Sequence, residues 1–257
     1  MRYHFIDNLR GLTFLSMAVY HTMWDLVNLY GVDAPWYALA PGYVWQQSIL
    51  WLFILISGFC WGVSKRHLKR GALVFLAGAL VTAVTLFALP EDPVVFGVLS
   101  FLGLVMMALH PLRKVLGRLP ALPMLLICLA LFVLARDIPY GYLGFEAWHI
   151  VALPDAWYAN LCTALLGFQP SWFVSSDYVP FLPWVFLYLC GYFLFRLARE
   201  AEAWCGGGDA AEPLRLALPD QRPWPVVSFI GRHNLAFYLA HQVVIYAALM
   251  CIFMFVR

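Results

Sequence analysis

Residues 44–64 read VWQQSILWLFILISGFCWGVS, 21 positions without a lysine, arginine, aspartate or glutamate. The hydrocarbon slab of a bilayer is about 30 Å thick, and a helix crosses it with about 20 mostly apolar residues. The stretch therefore predicts a membrane-spanning helix, and the basic segment KRHLKRG at 65–71 predicts its emergence into water. Outward from it, six more runs qualify or nearly do: Leu9–Tyr30, Gly71–Leu89, Val94–Leu112, Ala121–Ala135, Pro180–Arg196 and Val226–Val256. Short segments of alternating polarity, the mark of a β-barrel, are absent.

Composition agrees. Of 257 residues, 63% are hydrophobic and only 12% charged, whereas soluble domains are about half apolar and a quarter charged. The expected fold is an all-α integral membrane protein: a single bundle of about seven transmembrane helices plus one external or re-entrant segment, in one domain over 1–257. The net charge of +2 comes from basic residues in short clusters between apolar runs, so no nucleic-acid surface is expected. Cys60, Cys128, Cys162, Cys190, Cys205 and Cys251 lie mostly in apolar stretches without metal-type spacing and read as small core residues. The first run carries Arg10 and Asp25 and no small-residue cleavage site, so it reads as a retained helix and not a cleaved signal.

Basic residues orient the chain. With the N-terminus in the cytoplasm and seven crossings, only Arg136 and Arg257 fall outside, leaving 14 of the 16 lysines and arginines inside. This is the positive-inside bias, and it places the C-terminus outside. Residues 136–179 become an external segment. Within it, 145–168 is apolar enough to enter the membrane, but a full crossing would carry Arg196 and Arg199 outward. An external or re-entrant element is therefore expected, since non-helical backbone at membrane depth needs shelter. Residues 199–225 form an inner connection with the flexible stretch CGGGDAAEP.

Ionisable groups within a bilayer are costly and mark candidate sites. On a helical wheel with Arg10 at zero, Met17, His21 and Asn28 fall within roughly 20°, and Asp7 and Asp25 at roughly 60°. One face of the first helix is thus polar. His21 and Asp25 are i,i+4 neighbours, and a carboxylate that orients an imidazole makes a usable general base. The plainer alternative is a buried His–Asp pair that fixes helix packing. In RHNLAFYLAHQ, Asn234 and His241 share a face with Tyr238 nearby. His241 stands roughly 13 Å above Arg232 and His21 roughly 16 Å above Arg10, so both imidazoles are expected near the midplane. A metal held by His21, Asp25 and His241 is a lesser alternative, and no metal is expected.

Lys65, Arg66, Lys69 and Arg70, helped by Arg10 and Arg232, suit a clamp for a phosphorylated cytoplasmic ligand. An inner loop would be basic for topological reasons alone, which is the competing explanation. Asp177, in DYVPFLPW (177–184), stands at the outer lip of the sixth helix. Trp148, Trp157, Tyr158, Trp172 and Tyr178 suit sugar faces and membrane interfaces equally. No phosphate loop, dinucleotide fingerprint, HExxH zinc site or GxSxG elbow occurs.

FIDNLRGLTFLSMAVYH (5–21) resembles the first-helix signature of the transmembrane acyltransferase superfamily. That superfamily includes the acyltransferase-3 proteins and the catalytic domain of heparan-alpha-glucosaminide N-acetyltransferase. Arg10 and His21 match the acyltransferase-3 pattern of an Arg, ten residues and a His. LFILISG (52–58), KRGALVFLAGALVTAVT (69–85), FGVLSFLG (96–103), LPWVFLYLCGYFLFR (182–196) and GRHNLAFYLAHQ (231–242) resemble small bacterial relatives of the heparan enzyme, over almost the whole chain. Two positions depart: the heparan enzyme keeps no His at the position of His21, and Ser100 stands where the small relatives have His.

The resemblance implies a membrane acyltransferase that moves an acyl group, acetyl first, from cytoplasmic acetyl-CoA to an amine or hydroxyl of a sugar or glycolipid acceptor outside. Residue by residue, it implies Arg10 on the CoA side, His21 as base or nucleophile, and Asn234 and His241 on the closing helix. Asp25 is expected to orient His21, and Asn28, Asp177 and Asn234 to contact the acceptor. The setting implied is a bacterial inner membrane, among lipid, with a homodimer the simplest assembly. The competing class is a small-solute transporter or a non-catalytic membrane binding protein, since polar midplane residues also line substrate pathways.

Overall fold

The computed structural model describes residues 4–146, 148–204 and 224–256. Among them lie ten α-helices: α1 (His4–Asn28), α2 (Ala40–Val63), α3 (His67–Ala88), α4 (Val98–Ala108), α5 (Arg113–Leu116), α6 (Ala121–Leu134), α7 (Leu161–Leu166), α8 (Phe181–Trp204), α9 (Pro225–Arg232) and α10 (Asn234–Val256). The one sheet among the described residues is an antiparallel hairpin of β1 (Tyr142–Phe145) and β2 (Trp148–Ala152). The fold is all-α and of membrane type. α2, α3, α8 and α10 are each long and apolar enough to cross a bilayer. α1 has 25 residues but carries Asp7, Arg10 and Asp25.

The apolar runs and the helices differ in length at three places. The fourth run is helical only over the 11 residues of α4 and the fifth over the 14 of α6, about 16 and 21 Å, both short of the slab. Before α4 the chain is held extended and turned: Val95 N–H donates to Ser175 Oγ at 2.9 Å, and Phe96 takes a φ of 56°. The last run breaks at His233, between α9 and α10. Residues 145–168 form no long helix: β2, a 3₁₀ turn at Asp155–Trp157 and the six-residue α7 occupy them. The linker stretch 205–213 lies outside the described residues.

The chain divides into two compact units, Met1–Ile56 with Ala201–Arg257, and Ser57–Glu200. In the first, the early part of α1 packs on α9 at glycines. A Cβ on Gly11 would come within 2.1 Å of Val227 O, and one on Gly231 within 1.9 Å of Asp7 O. Further along, α1 faces α10 and builds a core from Phe14, Met17 and Ile49, with Tyr20, Trp45, Phe237 and Tyr238 packed against it.

In the second unit α3 and α4 approach as closely. A Cβ on Gly103 would lie 2.4 Å from Phe75 N, and one on Gly78 2.6 Å from Ser100 N. Small residues let membrane helices touch backbone to backbone. Tyr188 and Phe193 of α8 are fully buried. β1 continues from the end of α6, where Ala135 bridges Gly144, and Tyr158 OH donates to Ile138 O at 2.6 Å to fold the following segment back. The outward sides of α3 and α10 expose Leu76, Leu80 and Phe87, and Val243, Val244 and Met254, a surface suited to lipid.

Candidate functional site

The polar face of α1 meets α10 within the first unit. The rings of His21 and His241 lie 5.0 Å apart between centroids. Aromatic rings surround them: Phe14 stands 6.0 Å from His241, Tyr20 6.0 Å from His21, and Tyr238 5.3 Å from His241. The packing of that wall is fixed by hydrogen bonds, with Tyr37 OH donating to Tyr20 O at 3.1 Å and Trp45 Nε1 to Ser16 Oγ at 2.9 Å.

His241 Nδ1 lies 2.5 Å from Tyr238 O. A carbonyl oxygen only accepts, so Nδ1 carries a proton, and in the neutral ring Nε2 keeps its lone pair. That Nε2 is buried and has no hydrogen-bond partner among the described residues. The backbone of α10 thus sets the tautomer that a general base requires, without a carboxylate.

Asp25 corrects the expected His–Asp pair. Its side chain is fully buried, and both carboxylate oxygens accept from Gln242 Nε2, at 2.9 and 3.2 Å. No hydrogen bond or ion pair joins it to His21 among the described residues. The i,i+4 spacing places the two on adjacent turns, but each side chain engages α10 and not the other. Gln242 was not singled out from the sequence. Its signal was present, an amide beside His241 in an apolar run, on a helix that must answer the buried acid of α1.

The remaining candidates separate. Asn234, at the start of α10, keeps a buried Oδ1 that has no hydrogen-bond partner among the described residues. Asn28 is exposed, and its Nδ2 donates to Trp24 O at 2.9 Å, so it turns back on its own helix and not into the site. Asp177, in the second unit, accepts from Val98 N at 3.1 Å and thereby caps α4, a structural task in place of the expected acceptor contact. Burial pushes its carboxyl above the usual carboxylate range, against the opposing pull of the Val98 N–H. Asn8, also missed, accepts from Trp224 N at 3.2 Å and Ser228 Oγ at 2.5 Å and so anchors α9.

Of the basic residues, Lys65, Arg66, Lys69 and Arg70 are exposed in the second unit, and none meets a carboxylate among the described residues. Ser64 Oγ accepts from Arg66 N and Arg70 Nη1, each at 3.4 Å. His67, inside the same basic segment, turns inward, 4.5 Å from the Trp61 ring and 5.6 Å from that of His110. In the first unit Arg10 is half-buried, and Arg232 is exposed with Nε donating to Ser228 O at 3.1 Å. No group of three or more His, Cys, Asp or Glu side chains among the described residues is placed to hold a metal ion.

Fold and site together define a class: a helical membrane protein with two imidazoles, a buried carboxylate and an amide at the seam between two of its helices. The family model described as "Heparan-alpha-glucosaminide N-acetyltransferase, catalytic" matches residues 2–243, and the chain belongs to that family. Membership makes it a membrane protein of N-acetyltransferase type, with transferase activity. No curated protein and no solved structure matches the chain.

Proposed function

We propose that the chain transfers an acetyl group from cytoplasmic acetyl-CoA to an amine or hydroxyl of a sugar-type acceptor on the opposite side of the membrane. One observation carries this reading: the buried Nε2 of His241, without a hydrogen-bond partner among the described residues, on a ring 5.0 Å from that of His21. Such a nitrogen can take the proton of an incoming nucleophile. Its aromatic surroundings exclude water, which limits loss of the thioester to hydrolysis.

Acetyl-CoA would supply an activated carbonyl and a thiolate leaving group. Its charge suits Arg10 and Arg232 of the first unit and, taken by itself, the exposed cluster Lys65, Arg66, Lys69 and Arg70 of the second. Arginine and lysine bind phosphate oxygens by charge-assisted hydrogen bonds. His21 is the second imidazole of the centre, serving as base, nucleophile or donor to the developing oxyanion.

The test uses the protein in vesicles with radiolabelled acetyl-CoA inside and an amino-sugar acceptor outside. Wild type is expected to label the acceptor, and His21→Ala and His241→Ala to lose that labelling. Wild-type transfer by both variants overturns the assignment.

A further inference from the structure

Asp25 is fully buried in α1, and among the described residues the side chain that hydrogen-bonds its carboxylate is the neutral amide of Gln242. An ionised carboxylate without a cation is among the costliest groups to bury. No lysine, arginine or histidine forms an ion pair with it among the described residues. The same amide leaves a second mark. A carboxylate only accepts, so Gln242 turns Nε2 toward Asp25, and its buried Oε1 has no hydrogen-bond partner among the described residues. Two carboxylate oxygens and one amide oxygen therefore belong to one pair of side chains, all acceptors, with the uncharged NH2 of Gln242 as the donor between them.

We infer that Asp25 and Gln242 form the subsite that receives the cationic ammonium group of the acceptor, which makes Asp25 a specificity-determining residue for amines over hydroxyls. The inference rests on the acyl-transfer reading for what happens next, but not for binding. An ammonium brings three N–H donors and a positive charge, matching three acceptor oxygens and one negative charge. A hydroxyl brings one donor and no charge, so it leaves acceptors unpaired. Sites built on buried hydrogen bonds reject such analogues strongly.

The chemistry balances through His241. Asp25 selects R–NH3+, and His241 Nε2 takes one proton to leave R–NH2. The nitrogen lone pair then forms the N–C bond as the thioester C–S bond breaks. The imidazolium returns its proton to the departing sulfur, and the second proton on nitrogen is released. Amide, CoA thiol and one proton result.

The test compares glucosamine with glucose, using the full chain in lipid nanodiscs. Thermal stabilisation by each sugar is measured without acyl donor, and kcat/KM for each with radiolabelled acetyl-CoA. In wild type glucosamine should stabilise and glucose should not. Asp25→Asn should lower the amine-to-hydroxyl ratio of kcat/KM by about a hundredfold, with stabilisation by acetyl-CoA serving as the check of folding. The exchange D25N/Q242E moves the charge across the same hydrogen bond and should restore the ratio, which a merely structural pair would not. A ratio unchanged by D25N, or equal losses on both sugars, overturns the inference while leaving acyl transfer standing. Asp25-dependent binding of glucosamine without any transfer upholds the subsite and overturns the acyl-transfer reading.

Discussion

The seam between α3 and α4 and the seam between α1 and α10 solve the same problem in opposite ways. At α3–α4, Gly103 and Gly78 bring backbone against backbone with no room for a methyl group, beside Phe75 and Ser100. Everything there is contact. At α1–α10 two imidazoles, a carboxylate and an amide fill the gap, and His241 Nε2 and Gln242 Oε1 find no partner among the described residues. Buried polar atoms normally find a hydrogen bond, so a seam that keeps several unmet is arranged for something that arrives. Closely packed helices give rigidity, whereas the polar seam is where the proposed chemistry would take place.

The largest expected effect tests the polar side of that contrast. His241→Ala should lower acetyl transfer by about 10²–10⁴-fold, read with labelled acetyl-CoA; full retention would make the polar seam mere packing. Next comes the tight side. Gly103→Ala places a methyl 2.4 Å from Phe75 N and should cost about 1–3 kcal/mol of stability, seen in thermal unfolding, while transfer per folded molecule keeps its wild-type value. A smaller change is expected when Lys65, Arg66, Lys69 and Arg70 are replaced together by glutamine. KM for acetyl-CoA should rise about tenfold with kcat little altered, the signature of lost uniform binding.

The smallest effect concerns Asp177. Its replacement by alanine removes the cap on α4 and should cost about 1 kcal/mol, whereas asparagine keeps an accepting oxygen for Val98 N–H and should cost less. Because burial raises this carboxyl, folding favours its protonated form. Its contribution is therefore greatest below the usual carboxylate range and falls as pH rises through it. Asp177→Asn should flatten that slope in unfolding measured across pH.

The helical character was legible because apolar runs this long have few other solutions. A shared depth for His21 and His241 was read from similar distances to Arg10 and Arg232, but spacing along each helix did not show that the two helices touch; the structure brings the rings within 5.0 Å. What spacing could not give was the partner of Asp25. Periodicity relates residues on one helix, and the answer to a buried acid lay on another, at Gln242. The break at His233 escaped for a different reason. Three polar residues, Arg232, His233 and Asn234, interrupt an apolar run that hydropathy alone carries across, yet α9 ends there against the glycine contact with α1. Asp177 looked like a lip residue because its hydrogen-bonding target, the start of α4, is 79 positions away.

The hairpin after α6 has a consequence for how the protein floats. β2 is exposed along its length, with Trp148 and Ile150 turned outward. As one strand of a two-stranded sheet, it has one edge with no neighbouring strand among the described residues. Peptide groups on such an edge must be wetted, so this strand cannot sink among acyl chains. Tryptophan, for its part, favours the headgroup layer. The hairpin thus behaves as a waterline, and α6, joined to it through Ala135 and Gly144, hangs from that mark at a set draught.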